Sequence, residues 1–205
     1  MPTVARAPRA ADSTRERILR TAFREFLRHG FQGGSLNRIV EAAGVTKGAL
    51  FHHFADKRAL GYAVVDEIVE PLLMERWVTR LERAGDPLSA MQEAFRTYVE
   101  ADIASGSWLH GCPLNNLAQE MSPLDDGFRA RIDALYDRWR SALGTALARG
   151  KTAGTVRASA PPPAAAALLV ASQMGIWGTG KSSQSQTVMR HATDGVCAFL
   201  DSLRP

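Results

Sequence analysis

Cysteine occurs only twice in these 205 residues, at Cys112 and Cys197. Two cysteines cannot build a disulfide framework or a four-ligand metal site, and their scarcity predicts a cytosolic chain. No apolar run approaches the roughly 20 residues that cross a bilayer, and MPTVARAPRAADS lacks the apolar stretch of a secretory signal. No membrane contact is therefore expected. Val, Ile and Thr are sparse and no segment alternates with period two, which argues against a sheet. Clustered Ser, His and Asp, a phosphate-cradling glycine loop and metal-ligand spacing are all missing too. The chain is not expected to be an enzyme or to carry a cofactor or metal.

What is present is helical periodicity. Ser13 and Glu16 have the spacing of a capping box, and Ile18, Leu19, Ala22, Phe23, Phe26 and Leu27 then form one stripe that His29 and Gly30 end. Further helices are predicted from Ser35, Thr46 and Asp56 as N-caps, the last carrying Leu60, Val64, Ile68 and Leu72 with Pro71 as a kink. Asp86-Pro87 opens another. A loop over 105–113 precedes a short helix over 114–121 and a long one over 125–149 ended by Gly150. Two more follow, from Pro161-Pro162-Pro163 to about 178 and over about 186–203, separated by a polar break from Gly178 to Ser185.

Charge is uneven. Residues 1–60 hold eleven Lys/Arg against five Asp/Glu, a net of +6, while residues 61–205 hold fourteen against sixteen, a net of −2. The basic excess lies with the segment SLNRIVEAAGVTKGALFHHFADKR, residues 35–58. There two short apolar-periodic stretches meet at a tight Ala-Gly-Val-Thr turn, the pattern of a helix-turn-helix whose second helix enters the DNA major groove. Inward positions are Leu36, Ile39, Val40 and Ala43, then Leu50 and Phe54. Residues 1–11 read as a disordered basic arm whose Arg6 and Arg9 can reach a minor groove. His52 and His53 invite a metal reading, but adjacent helix residues point about 100° apart and do not readily chelate one ion.

The run Ile39-Val-Glu-Ala-Ala-Gly-Val-Thr-Lys-Gly-Ala-Leu-Phe-His-His-Phe54, with Asp56-Lys57-Arg-Ala-Leu60 after it, resembles the DNA-binding domain of TetR-family transcriptional regulators. The match covers about 13–60; the rest agrees only in length and helical layout. The resemblance implies an all-α fold of about nine helices: a three-helix DNA-binding domain over 12–60 and an effector-binding and dimerisation domain over 61–205. Carried over by position, Lys47, Gly48 and Ala49 face or approach the bases. Gly48 permits close approach, Ala49 offers a methyl to thymine, and Lys47 reaches guanine acceptors or phosphate. Phe51 stands where the family usually has tyrosine, so one phosphate hydrogen bond is missing. His52 and His53 fall at the phosphate backbone, His53 also being open to a structural role. Ser35, Thr46 and Lys57 are phosphate contacts, and Asn37 reaches a base edge or sugar.

By the same resemblance, residues 61–205 hold an effector pocket. Its candidates are Tyr98, Trp108, Cys112, Asn115, Asn116, Gln119, Trp139, Met174 and Trp177, each of which also reads as plain core or surface. Cys112, just before a short helix and near His110, reads either as a reactive thiolate or as a buried thiol. The last two helices, with Met174, Trp177, Val188, Ala192, Val196 and Phe199 as apolar candidates, are expected to form a homodimer as a four-helix bundle. The function expected is a repressor that binds a palindromic DNA operator as a dimer and is released by a small molecule. The alternatives are a small-molecule-processing enzyme on a regulatory fold and a non-specific DNA-compacting protein.

Overall fold

The computed structural model describes residues 10–205, and every regular element among them is helical. The first four helices are α1 (Ala10–Gly33), α2 (Leu36–Ala43), α3 (Lys47–His53) and α4 (Lys57–Val64). Wide π turns at Val65–Val69 and Met74–Thr79 alternate with α5 (Glu70–Leu73) and α6 (Arg80–Glu82). Then come α7 (Pro87–Ser105), a 3-10 turn at Ser107–His110, α8 (Pro113–Met121), α9 (Asp126–Ala153), α10 (Pro162–Ser183) and α11 (Gln186–Asp201). Counting the helical run 57–82 as one gives nine helices among the described residues. Contacts divide the chain into two compact units, the first ending at Ile68 and the second running from Val69 to Pro205.

In the first unit α1 packs on α2, α3 and α4. Ile18, Ala22, Phe26, Ile39, Leu50, Phe54 and Leu60 are buried together as its core. Burying one such leucine contributes about 1.5–3 kcal/mol. Three caps expected from the sequence are present: Ser35, Thr46 and Asp56 accept the N–H of Arg38, Ala49 and Ala59. Gly44 takes the left-handed conformation that the turn between α2 and α3 requires, at φ 60° and ψ 43°.

The second unit is built on α9, against which α8 and α10 pack, while α11 packs on α7 and α10. The stripe Phe128, Ile132, Leu135, Trp139, Leu143 and Leu147 is buried. Pro71 lies in α5, directly after the π turn Val65–Val69. A proline ring clashes with the carbonyl four residues back, and a wide turn at residue 67 is one way to relieve that.

Several helix ends differ from the sequence reading. α1 starts at Ala10, so Ser13 lies inside the helix and not at its cap; Ala10 and Ala11 are strong helix formers that extend it. Arg6 and Arg9 lie outside the described residues. Gly30 does break α1, at φ 74° and ψ 170°, a region open to glycine alone. Gly150 does not end α9, which continues to Ala153 and is capped by left-handed Gly154. A Cβ on Gly150 would lie 2.6 Å from Val156 and 2.8 Å from Pro87, so this glycine serves close packing. Likewise α10 runs through Gly178 to Ser183, with the turn to α11 at Gln184, the only non-glycine with positive φ among the described residues. At Gly180 a Cβ would lie 2.4 Å from the Met189 side chain on α11.

Candidate functional site

The exposed side of α3 is assembled from local causes. Leu50 is fully buried and anchors the helix, and the Thr46 hydroxyl accepts the Ala49 N–H at 3.1 Å and fixes the helix start. With Leu50 turned inward, Lys47, Gly48, Phe51 and His52 are exposed, positions that share one helical face. Ala49 and His53 are half-buried, as is Ser35, and Asn37 on α2 is exposed. Phe51 is 50 % exposed, an apolar ring left in solvent, whereas Phe54 is core. A methyl-sized group on Gly48 would meet only Thr46 Oγ1, at 3.8 Å, so nothing intramolecular demands glycine there.

Lys57 differs from the others. Its ammonium donates to the Gln32 carbonyl at 3.0 Å and lies 5.0 Å from the centre of the Phe31 ring, tying the start of α4 to the end of α1. A second tie escaped the sequence reading. Glu25 Oε1 accepts the Ser35 N–H at 2.8 Å and Arg38 Nε at 2.7 Å, while Arg38 Nη2 donates to the Gly33 carbonyl at 2.9 Å. These bonds pin the entry to α2. Burial alone would raise the Glu25 pKa, but the Arg38 and Ser35 hydrogen bonds outweigh it and hold the carboxyl below its ordinary value.

The interior of the second unit is polar where one would expect oil. Asp102 on α7 is buried and receives Trp177 Nε1 at 2.7 Å and the Arg76 guanidinium at 3.2 and 3.3 Å. Arg76 also stacks over Tyr98 at 5.0 Å. Next to it Trp77 packs against Phe95, Trp139 and Tyr98, with ring centres 4.9, 5.1 and 5.6 Å away. The Tyr136 hydroxyl contacts Met174 Sδ at 3.3 Å. Two buried atoms, Trp139 Nε1 and Gln173 Oε1, have no hydrogen-bond partner, and each such atom costs about 1–3 kcal/mol. Of the pocket candidates, Tyr98, Trp139, Met174, Trp177 and Cys112 belong to this region. Trp108 is buried in the 3-10 turn, Asn115 is half-buried, Gln119 is exposed, and Asn116 donates to the His110 carbonyl at 2.7 Å.

A match to the model described as bacterial regulatory proteins, tetR family, spans residues 18–64. A second match, to the tetracyclin repressor-like C-terminal domain, spans residues 74–196. The chain belongs to the TetR family. TetR-family proteins are DNA-binding regulators and not enzymes. Among relatives, the chain is 27% identical over 166 residues to the HTH-type transcriptional repressor DhaR of Mycobacterium sp. strain GP1, covering 81% of each. It is 30% identical over 151 residues to the HTH-type transcriptional regulator LmrA of Bacillus subtilis, covering 70% of this chain and 79% of LmrA. A TetR transcriptional regulator from Chloroflexus aurantiacus superimposes with a TM-score of 0.84 at 26% identity, over 96% of this chain and 98% of that one.

In this TetR-family chain Cys112 takes the second of its two readings, a buried thiol. It is buried, and burial pushes its thiol up despite the backbone N–H groups of Asn115 and Leu114, the Gln173 side chain and the Arg76 charge, all of which favour the anion. Desolvation outweighs the helix N-terminus. Cys197 is buried and shifted the same way. Among the described residues no group of three or more His, Cys, Asp or Glu is placed to hold a metal, and no helix is long and apolar enough to cross a membrane.

The outer face of α10 and α11 carries a shallow apolar groove of about 360 Å³, whose walls include Leu168, Ile176, Ala192, Val196 and Phe199. Leu168 is half-exposed, and Cβ atoms added at Gly175 or Gly195 would meet nothing. Trp177, in contrast, faces the unit's own core. The alanine-rich start of α10 is split: Ala165 and Ala166 are buried, with Ala166 close to Gly144 of α9, while Ala164 and Ala167 are exposed.

Proposed function

We propose that this chain is a ligand-responsive repressor that binds a palindromic DNA operator as a homodimer. Residues 12–60 read the operator, with residues 1–11 as a basic arm, and residues 61–205 pair two protomers and take a small-molecule effector. The observation that carries the reading is the face of α3. Lys47, Gly48, Phe51 and His52 are exposed on a helix whose caps and core are satisfied without them. Ala49, His53, Ser35 and Asn37 border that face. Lys57 contributes chiefly by bracing α4, with its ammonium near the phosphates. The net charge of +6 over residues 1–60 supplies the electrostatic pull, so binding weakens steeply with salt.

Repression rather than activation is proposed by analogy with the similar protein DhaR, a transcriptional repressor. The groove on α10 and α11 is the dimer face. It is apolar and studded with small residues, which lets helices from two protomers approach closely. Effector binding shifts the population towards a dimer whose two α3 helices no longer match successive major grooves.

A footprint on DNA upstream of the chain's own gene tests the proposal. Protection of one short palindrome, relieved by an effector, is expected. Uniform coverage would replace it with DNA compaction.

A further inference from the structure

The unpartnered polar atoms of the second unit say what kind of effector it takes. Trp139 and Gln173 are 1 % and 5 % exposed, and each has a polar atom with no partner. They belong to one neighbourhood. Tyr136, one helical turn from Trp139 on the same face of α9, bonds Met174, the residue after Gln173. Cys112 is in electrostatic contact with Tyr136 and within hydrogen-bonding reach of the Gln173 side chain. The indole N–H can only donate, and the unpartnered Gln173 Oε1 can only accept.

Resting on the reading that this unit takes an effector, we infer that the effector is an uncharged molecule whose hydrogen-bond acceptor is held by Trp139 Nε1 and whose hydrogen-bond donor is held by Gln173 Oε1. Its neutrality follows from the charges around the cluster. Arg76, whose charge acts on Cys112, is bonded to Asp102. Arg140, whose charge acts on Tyr136, is paired with Asp137. Asp102 is in turn taken by Arg76 and Trp177. An anion would find both cations engaged, and a cation would find Asp102 engaged; either would lose its hydration without a free counter-charge. The rings of Trp77, Tyr98 and Trp139 supply apolar surface for the body of the molecule. Amides, alcohols and phenols have this chemistry; carboxylates, phosphates and amines do not.

Benzamide, benzoate and toluene form a matched set of probes for the full-length protein. The ¹⁵N-labelled chain has four indole N–H signals, from Trp77, Trp108, Trp139 and Trp177, and Trp139→Phe assigns one by its loss. Millimolar benzamide is expected to move the Trp139 signal downfield, the direction of hydrogen-bond formation, and to leave Trp177 in place. Benzoate and toluene should leave the Trp139 signal unmoved, and Gln173→Met should weaken benzamide binding about tenfold. The inference is overturned if benzoate matches benzamide, if benzamide leaves the Trp139 signal still, or if Gln173→Met binds benzamide undiminished. The wild-type titration decides even where a variant folds poorly. Operator binding by the same sample is scored separately: its absence sinks the regulator reading, whereas the titration alone judges the ligand chemistry.

Discussion

On α3 the polar and aromatic groups Lys47, Phe51 and His52 stand in solvent, while the backbone and core beneath them are satisfied. Between α7, α9 and α10 the reverse holds: Asp102, Trp139 and Gln173 are buried, and two polar atoms among them go unpaired. The first arrangement leaves its groups free for a partner at little cost to stability. The second accepts instability in the free protein to keep polar groups dry. Substitutions should therefore separate cleanly, those on α3 changing DNA affinity and those in the second unit changing stability.

The largest departure is expected at Asp102. Asp102→Ala leaves Trp177 Nε1 and the partly exposed Arg76 without their acceptor and should cost about 2–4 kcal/mol in urea denaturation. A loss under 1 kcal/mol would mean that the interior is wetter than its burial implies. Next is Gly180→Ala, which forces a methyl against buried Met189 and should destabilise by about 1–3 kcal/mol.

Lys47→Ala tests the other side. It should lower operator affinity about tenfold or more and leave the melting temperature within a degree or so, since Lys47 is exposed and makes no ion pair among the described residues. A drop in stability equal to the drop in affinity would erase the contrast between the two regions.

The smallest effect concerns acid. The folded-state pKa of Glu25 lies below its ordinary value, so its contribution is complete above the unfolded pKa and disappears as pH falls through the lowered one. Glu25→Gln should cost about 1 kcal/mol at pH 7. The gap from wild type should close at acid pH, below about 4; a gap that persists at low pH would assign the effect to shape rather than charge.

The first unit was legible because its signals are local. Ser35, Thr46 and Asp56 cap within three residues of themselves, and Gly44 is needed by one turn. Glu25 was not legible: its partners lie ten and thirteen residues away, and a carboxylate on a helix looks like any surface charge. The Asp102 cluster joins residues 26 and 75 positions apart for the same reason. Gly150, read as a helix end, and the stretch from Gly178 to Ser185, read as a break, misled because a glycine inside a helix is explained by what packs on it, and sequence spacing cannot show Val156 at Gly150 or Met189 at Gly180. For Cys112 the sequence left a reactive thiolate and a buried thiol both open, because burial is a tertiary property that a position before a helix N-terminus does not reveal.

That burial has a practical side. Both native thiols are buried, and burial pushes both pKa values up, so alkylating reagents should react with them slowly. A cysteine introduced on the surface, as in Ala42→Cys on exposed α2, would then carry a spin label on a silent background. In the proposed dimer two such labels form a ruler across the molecule, and its reading with and without effector gives the span between DNA readers directly.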